Sequence, residues 1–102
     1  MRTIIKTTDK LLDLLDANGV LDVDGDLIIK INVPRANVGK FITAMKVNGN
    51  LIARDHLYVG GELIVKGDLT AMGDLAARGD IRISGKMNVR GDISTGGRIR
   101  NS

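Results

Sequence analysis

From Leu51 to the C-terminus the chain can be written in sixes: LIARDH, LYVGGE, LIVKGD, LTAMGD, LAARGD, IRISGK, MNVRGD, ISTGGR and IRNS. Every block opens on Leu, Ile or Met. Third positions are Ala53, Val59, Val65, Ala71, Ala77, Ile83, Val89 and Thr95. Fifth positions are glycine from Gly61 to Gly97, and sixth positions are often acidic, as at Glu62, Asp68, Asp74, Asp80 and Asp92. The phase extends backwards through MKVNGN (45–50), LIIKIN (27–32) and LDVDGD (21–26), whereas VPRANV (33–38) and GKFITA (39–44) fit poorly. A sustained internal period restricts the architecture before any single residue is weighed.

The unit has a direct physical reading. Apolar first and third positions point to one face of a strand, and second and fourth positions to the other. Glycine at the fifth position permits a backbone bend that a Cβ resists. Asp or Asn at the sixth can bond nearby backbone groups and tolerates unusual dihedrals. One block is therefore a short strand plus a corner. With three corners per turn, a circuit takes about 18 residues, and circuits stack at ~4.8 Å through strand pairing. The pattern predicts an all-β fold, a single-stranded parallel β-helix with a triangular section over residues 21–102, in which each circuit touches only its neighbours. An antiparallel meander with Gly-Asp turns is the competing arrangement. It makes a very narrow ribbon whose two ends are both open edges.

Residues 1–20 lack the repeat. MRTIIK suits a short strand, and TTDKLLDLLDANG reads as a helix. Thr7 or Thr8 can cap its N-terminus, Asp9 suits the positive helix end, and Asn18-Gly19 is a stop signal. Leu11, Leu12, Leu14 and Leu15 form one apolar face, opposite Asp13 and Asp16. Open solenoid ends need cover, so this helix is expected to cap the first circuit. A partner-binding or dimerising helix is the other reading.

Composition supports one small domain of short strands. The 102 residues include thirteen glycines, one proline, no cysteine and no tryptophan. Phe41 and Tyr58 are the only aromatics, so aliphatic residues must fill the core. Disulfides and thiolate metal sites are excluded. The net charge of +3 is mild, well short of a nucleic-acid arm. No apolar run approaches the ~20 residues of a membrane-spanning helix, and the first residues lack a secretory signal pattern. A soluble cytoplasmic protein without a membrane span is the expectation.

At LIVKGDLTAMGDLAARGDIRISGKMNVRGDIST the chain resembles the bactofilins, a polymer-forming bacterial cytoskeletal family with strands repeated around Gly-Asp, Gly-Asn or Gly-Glu corners. The resemblance covers residues 21–102 and is strongest from 45 onward. It implies a right-handed triangular β-helix that associates end to end without nucleotide. The chain departs from that family in lacking flexible, often Pro-rich tails and in starting with a helix. An N-terminal cap would block head-to-tail growth, leaving an end near Ile93 and Ile99 free to pair in a two-fold dimer. The left-handed β-helix of acyltransferases is the other hexapeptide family. Its blocks place small residues where this chain has Ile28, Lys46, Ile52, Tyr58, Ile64 and Arg82.

Candidate chemistry is sparse. His56 is the only histidine and sits at a corner position, with no long insert to build a cleft around it. A multi-histidine zinc site is excluded, and no catalytic residue, cofactor or metal is expected. Arg78-Gly79-Asp80 and Arg90-Gly91-Asp92 are products of the repeat rather than adhesive motifs. Gly60-Gly61 and Gly96-Gly97 lack the following helix that a phosphate loop requires.

Two surfaces remain. Stacking blocks three apart groups LIIK, MKVN, LIVK, IRIS and IRNS, which gives a basic face of Lys30, Lys46, Lys66, Arg82 and Arg100 with no outward acid. Such a stripe suits an acidic protein, nucleic-acid phosphates or an anionic surface. Equally, it suits a solvated face that deters aggregation. A second, more apolar face carries Pro34, Ile52, Arg54, Thr70, Met72 and Asn88, and Tyr58 and Ile42 fall on the third. Pro34, Gly39 and Phe41 also mark 33–44 as an irregular segment, suited to binding or to packing the cap. The leading expectation is a non-enzymatic, self-associating assembly scaffold, a homodimer or higher oligomer. The alternative is a small protein-binding module or inhibitor, of the kind phage accessory proteins provide, docking through the basic face or through 33–44.

Overall fold

The computed structural model describes residues 2–31 and 42–101. Pro34, Phe41 and nearly all of the irregular segment lie outside them.

The described chain is all-β apart from one short helix, and its sheets are parallel. One five-stranded sheet contains β1 (Arg2–Ile5), β3 (Asp26–Ile29), β5 (Leu51–Ala53), β8 (Leu69–Ala71) and β11 (Met87–Val89), in that order. We call it sheet A. Sheet B runs in the order β2 (Val20–Val23), β4 (Ala44–Val47), β7 (Leu63–Val65), β10 (Ile81–Ile83) and β13 (Ile99–Asn101). Sheet C has three strands, β6 (Leu57–Val59), β9 (Leu75–Ala77) and β12 (Ile93–Thr95). From β4 onward the chain visits B, A and C in rotation. Partners there are one circuit apart, as in Leu51 with Leu69, Leu57 with Leu75 and Leu63 with Ile81.

The alternation of each block decides what is buried. First-position Leu21, Met45, Leu63 and Ile81 stack in sheet B, Leu27, Leu51 and Leu69 in sheet A, and Leu57 and Leu75 in sheet C; all are inaccessible to solvent or nearly so. Third-position Val, Ala and Ile side chains complete one aliphatic core, and no described polar or charged side chain is buried. Each fully buried Leu or Ile contributes roughly 1.5–3 kcal/mol through removal of apolar surface from water. Ladders of aliphatic side chains thus do the work that aromatics do in most small domains.

The corners reveal what glycine and aspartate are for. Asp26 accepts a hydrogen bond from the N–H of Asn50, Asn50 Oδ1 from Asp68, and Asp68 from Lys86. The same ladder runs from His56 to Asp74 to Asp92, and from Asp80 to Arg98. Sixth-position side chains therefore bond the next circuit's corner, not their own. Among the described residues no non-glycine residue has positive φ, and only Gly19 and Gly25 among the glycines do. Of the described corner glycines only Gly25 adopts such a dihedral, and no described sixth-position residue does. Fifth-position glycines are needed because of close approach. A Cβ on Gly85 would collide with the Asp68 carboxylate and with the carbonyl of Gly67. Glycine and the preceding circuit's acid are one device: absence of a side chain leaves room for the carboxylate that pins the corner.

The N-terminal segment covers one end. α1 (Thr8–Leu14) is capped by the Thr7 hydroxyl, which accepts from the N–H of Lys10 at 3.2 Å, and Asp9 lies in its first turn. It ends before Asn18-Gly19, with Leu15 already extended and bridged to Leu21. Between them Asp16 closes a turn by accepting from the N–H groups of Asn18 and Val20. Leu11 is 1% exposed, Ile5 is buried, and Leu14 and Leu15 pack against the same core.

The first circuit is longer than the rest. Leu21 pairs with Met45 and Leu27 with Leu51, steps of 24 residues, against 18 from Met45 to Leu63. Between Leu21 and Met45, and between Leu27 and Leu51, paired strands are separated by one block more than in later steps. Ile42, expected on the surface of the third face, is buried in the core, and its carbonyl accepts from Gly60.

Candidate interaction surfaces

The longer first circuit redistributes the predicted basic face. Lys46, Arg82 and Arg100 lie in one outward column of sheet B, in register with Ile64 and Asp22. Lys66 follows β7 in the neighbouring column, behind Asp24 and Asn48, whose side chains approach at 3.5 Å. Lys30 is not on this face. It follows β3 in sheet A, where its N–H bonds the carbonyl of Ile5. The expectation of a basic face free of acid is thus corrected: Asp22 replaces Lys30 there, because block 21–26, not block 27–32, stacks under Met45. Arg82 also comes within 4.0 Å of Glu62. Sheet B carries mixed charge, acidic toward the first circuit and basic toward the last.

Sheet A holds two outward columns free of acid, beside a third column that includes Asp26. Its outward column is Ile4, Ile28, Ile52, Thr70 and Asn88. The adjacent column, just past each strand, is Lys30, Arg54, Met72 and Arg90, and the N–H groups of all four bond the preceding circuit. Ile52 and Met72 were expected on one face and are on this one. Met72 is 44% exposed, whereas Ile52 is half-buried. Ile4, Ile28 and Arg90 were not recognised as its members. Ile28 was misassigned because its pairing step is 24 residues rather than 18; Ile4 lies outside the repeat, and Arg90 shares its block with Asn88.

Sheet C is blander. Tyr58, Ala76 and Ser94 form its outward column. His56 stands at the corner leading into it. Its Nδ1 accepts from the N–H of Asp74 at 3.0 Å, so the ring takes the ladder role that Asp or Asn plays elsewhere. The carboxylates of Asp55 and Asp74 lie 3.9 and 3.8 Å from its ring nitrogens. Asp80 and Asp92, the acids of the two Arg-Gly-Asp sequences, belong to the same corner ladders.

The two ends differ. At the last circuit Ile93 and Ile99 are 38% and 43% exposed, and Met87 and Val89 are partly so. Inward positions there become polar. Thr95 Oγ1 donates to the carbonyl of Gly79 and accepts from Gly97, and Asn101 Nδ2 donates to the carbonyls of Ile83 and Gly85. In earlier circuits the matching carbonyls, Val65 and Gly67, take the backbone N–H groups of Ser84 and Gly85. Lys86 and Arg98 occupy sixth positions and cannot accept a further corner bond, so two of the three ladders stop there.

No family model, curated protein or solved structure matches the chain. Among the described residues no group of His, Cys, Asp and Glu is arranged to hold a metal ion, and no helix is long and apolar enough to cross a membrane.

Proposed function

We propose that the chain is a non-enzymatic structural module, a right-handed triangular β-helix of bactofilin-like type, that self-associates through its last circuit. The observation that carries the reading is the asymmetry of the ends. Leu11 and Ile5 close the first circuit, while Ile93 and Ile99 stand exposed beside unpaired strand edges on the last. Exposed aliphatics next to open edges favour association. A copy of the same end satisfies both, and the same patch on two copies closes a dimer under two-fold symmetry. The polar termination by Thr95, Asn101, Lys86 and Arg98 disfavours continued stacking and so supports a closed dimer over a filament.

Light scattering across a concentration series tests this. A dimer that Ile93→Asp with Ile99→Asp converts to a monomer, without loss of the far-ultraviolet circular dichroism spectrum, is the expected outcome. Lys86, Arg90, Arg98 and Arg100 surround that end against Asp92, so salt should strengthen the pairing by screening like charges. A strict monomer at millimolar concentration refutes the reading.

A further inference from the structure

We infer that the outer surface of sheet A is a docking face for an acidic amphipathic helix of a protein partner. Two columns run side by side along the stack, Ile4–Ile28–Ile52–Thr70–Asn88 and Lys30–Arg54–Met72–Arg90. Neither contains a carboxylate. Among the described residues no acid lies within ion-pair distance of Lys30, Arg54 or Arg90. Lys6, directly after β1, extends the cationic column by one step. The acids at the flanking corners are turned onto backbone N–H groups: Asp26 to Asn50, Asp68 to Lys86, Asp55 to His56 and Asp74 to Asp92.

The chemistry of the columns selects the occupant. Isoleucine beside an unneutralised row of Lys and Arg is complementary to an apolar stripe flanked by Asp or Glu. Nucleic acid would use only the cations, since the face has no aromatic ring on which bases stack. An anionic membrane would also use only the cations. Ile28 and Ile52 are half-buried within their strands and do not project to the ~5–10 Å depth at which apolar side chains enter the acyl boundary. A second copy applied face to face brings two cation columns into one interface with no acid from either pair of columns to neutralise them. Its own acidic amphipathic helix already has Leu11 in the core. A partner helix lying along the columns uses both. From Lys6 to Arg90 the column makes four strand steps, about 19 Å at ~4.8 Å each, which a helix of about 13 residues spans.

This reading does not rest on pairing of the last circuit, and its variants lie in earlier circuits. The probe is a dye-labelled synthetic helix of about 13 residues, with leucines at i, i+3, i+4 and i+7 and glutamates on both flanks. Binding is read by fluorescence anisotropy. The full chain should bind it, with affinity falling about tenfold from about 50 mM to about 300 mM salt. Lys30→Glu with Arg54→Glu should weaken binding about tenfold or more. Ile28→Thr with Ile52→Thr should weaken it about fivefold to thirtyfold. All four positions face outward, so circular dichroism and thermal midpoint should be preserved. No peptide binding overturns the proposal. So does binding that the charge reversal abolishes but the Thr pair leaves intact, with heparin competing equally, which indicates a polyanion site. Preferential binding to phosphatidylserine vesicles indicates a membrane face and overturns it too. A change of oligomeric state in the Thr pair assigns the face to a second copy and is likewise a refutation.

Discussion

Gly85→Ala is the sharpest probe of how circuits are locked together. The backbone at Gly85 has no positive φ. By conformational entropy alone, alanine there should stabilise the protein by about 0.4–1 kcal/mol. The structure predicts the opposite sign. The new Cβ would lie 2.7 Å from the carbonyl oxygen of Gly67 and 2.8 Å from its carbon, and would overlap the Asp68 carboxylate. Gly67 is backbone in a stacked corner and cannot swing aside, so overpacking should cost about 1–3 kcal/mol. Displacing Asp68 also breaks its 2.8 Å hydrogen bond from the N–H of Lys86, an exposed bond worth about 1 kcal/mol. The expected loss is about 3 kcal/mol. Asp68→Ala alone should cost about 1 kcal/mol. Once the carboxylate is gone, only the Gly67 contact remains. The double variant should therefore be about 1 kcal/mol more stable than the sum of the single losses implies. Urea denaturation followed by far-ultraviolet circular dichroism measures all four corners of the cycle. Additivity within about 0.5 kcal/mol, or stabilisation by Gly85→Ala, would refute the claim that glycine makes room for the acid.

Three further outcomes are expected. His56→Asn keeps a corner acceptor and should be nearly neutral, while His56→Ala loses the bond from Asp74 and about 1 kcal/mol; equal losses in the two would remove His56 from the ladder. Leu11→Ala, at the buried contact between α1 and the first circuit, should cost about 2–3 kcal/mol in a denaturant titration, and a cost near zero would show that the helix does not close that end. Asn101→Ala removes both bonds to the carbonyls of Ile83 and Gly85. It should speed amide exchange in β13 by about tenfold while leaving β5 unchanged, and unchanged exchange in β13 would show the amide has no terminating role.

The ladder acids also explain why the surface chemistry is easy to misread. Gly recurs every six residues from Gly61 to Gly97 and is often followed by Asp, so a fourth-position Arg before it yields motifs such as Arg78-Gly79-Asp80 from the geometry of corners. The charges that carry information are those outside the corner bonds, and these can be picked out only once the bonds are known. Arg54 and Lys30 are such residues; Asp68 and Asp74 are not.

The block, its phase and the side of each residue within the regular blocks were legible in the sequence, whereas the side of Ile42 in a poorly fitting block was not. Leu, Ile and Met at first positions and Val, Ala or Ile at third positions point inward because strand side chains alternate, whichever sheet a block joins. It also indicated the terminal helix, through Thr7, the four leucines and their spacing. Only the tertiary structure decided which sheet each block joins. Membership depends on counting blocks through three sheets visited in rotation, and a miscount of one assigns every earlier block to the wrong sheet while leaving its inward and outward sides unchanged. Leu21 pairs with Met45 and Leu27 with Leu51, steps of 24 residues rather than 18, so Lys30 left the predicted basic face and Asp22 entered it. The purpose of the fifth-position glycine was hidden for a related reason: the atom it avoids belongs to a residue one circuit away, a proximity created by stacking rather than by local sequence.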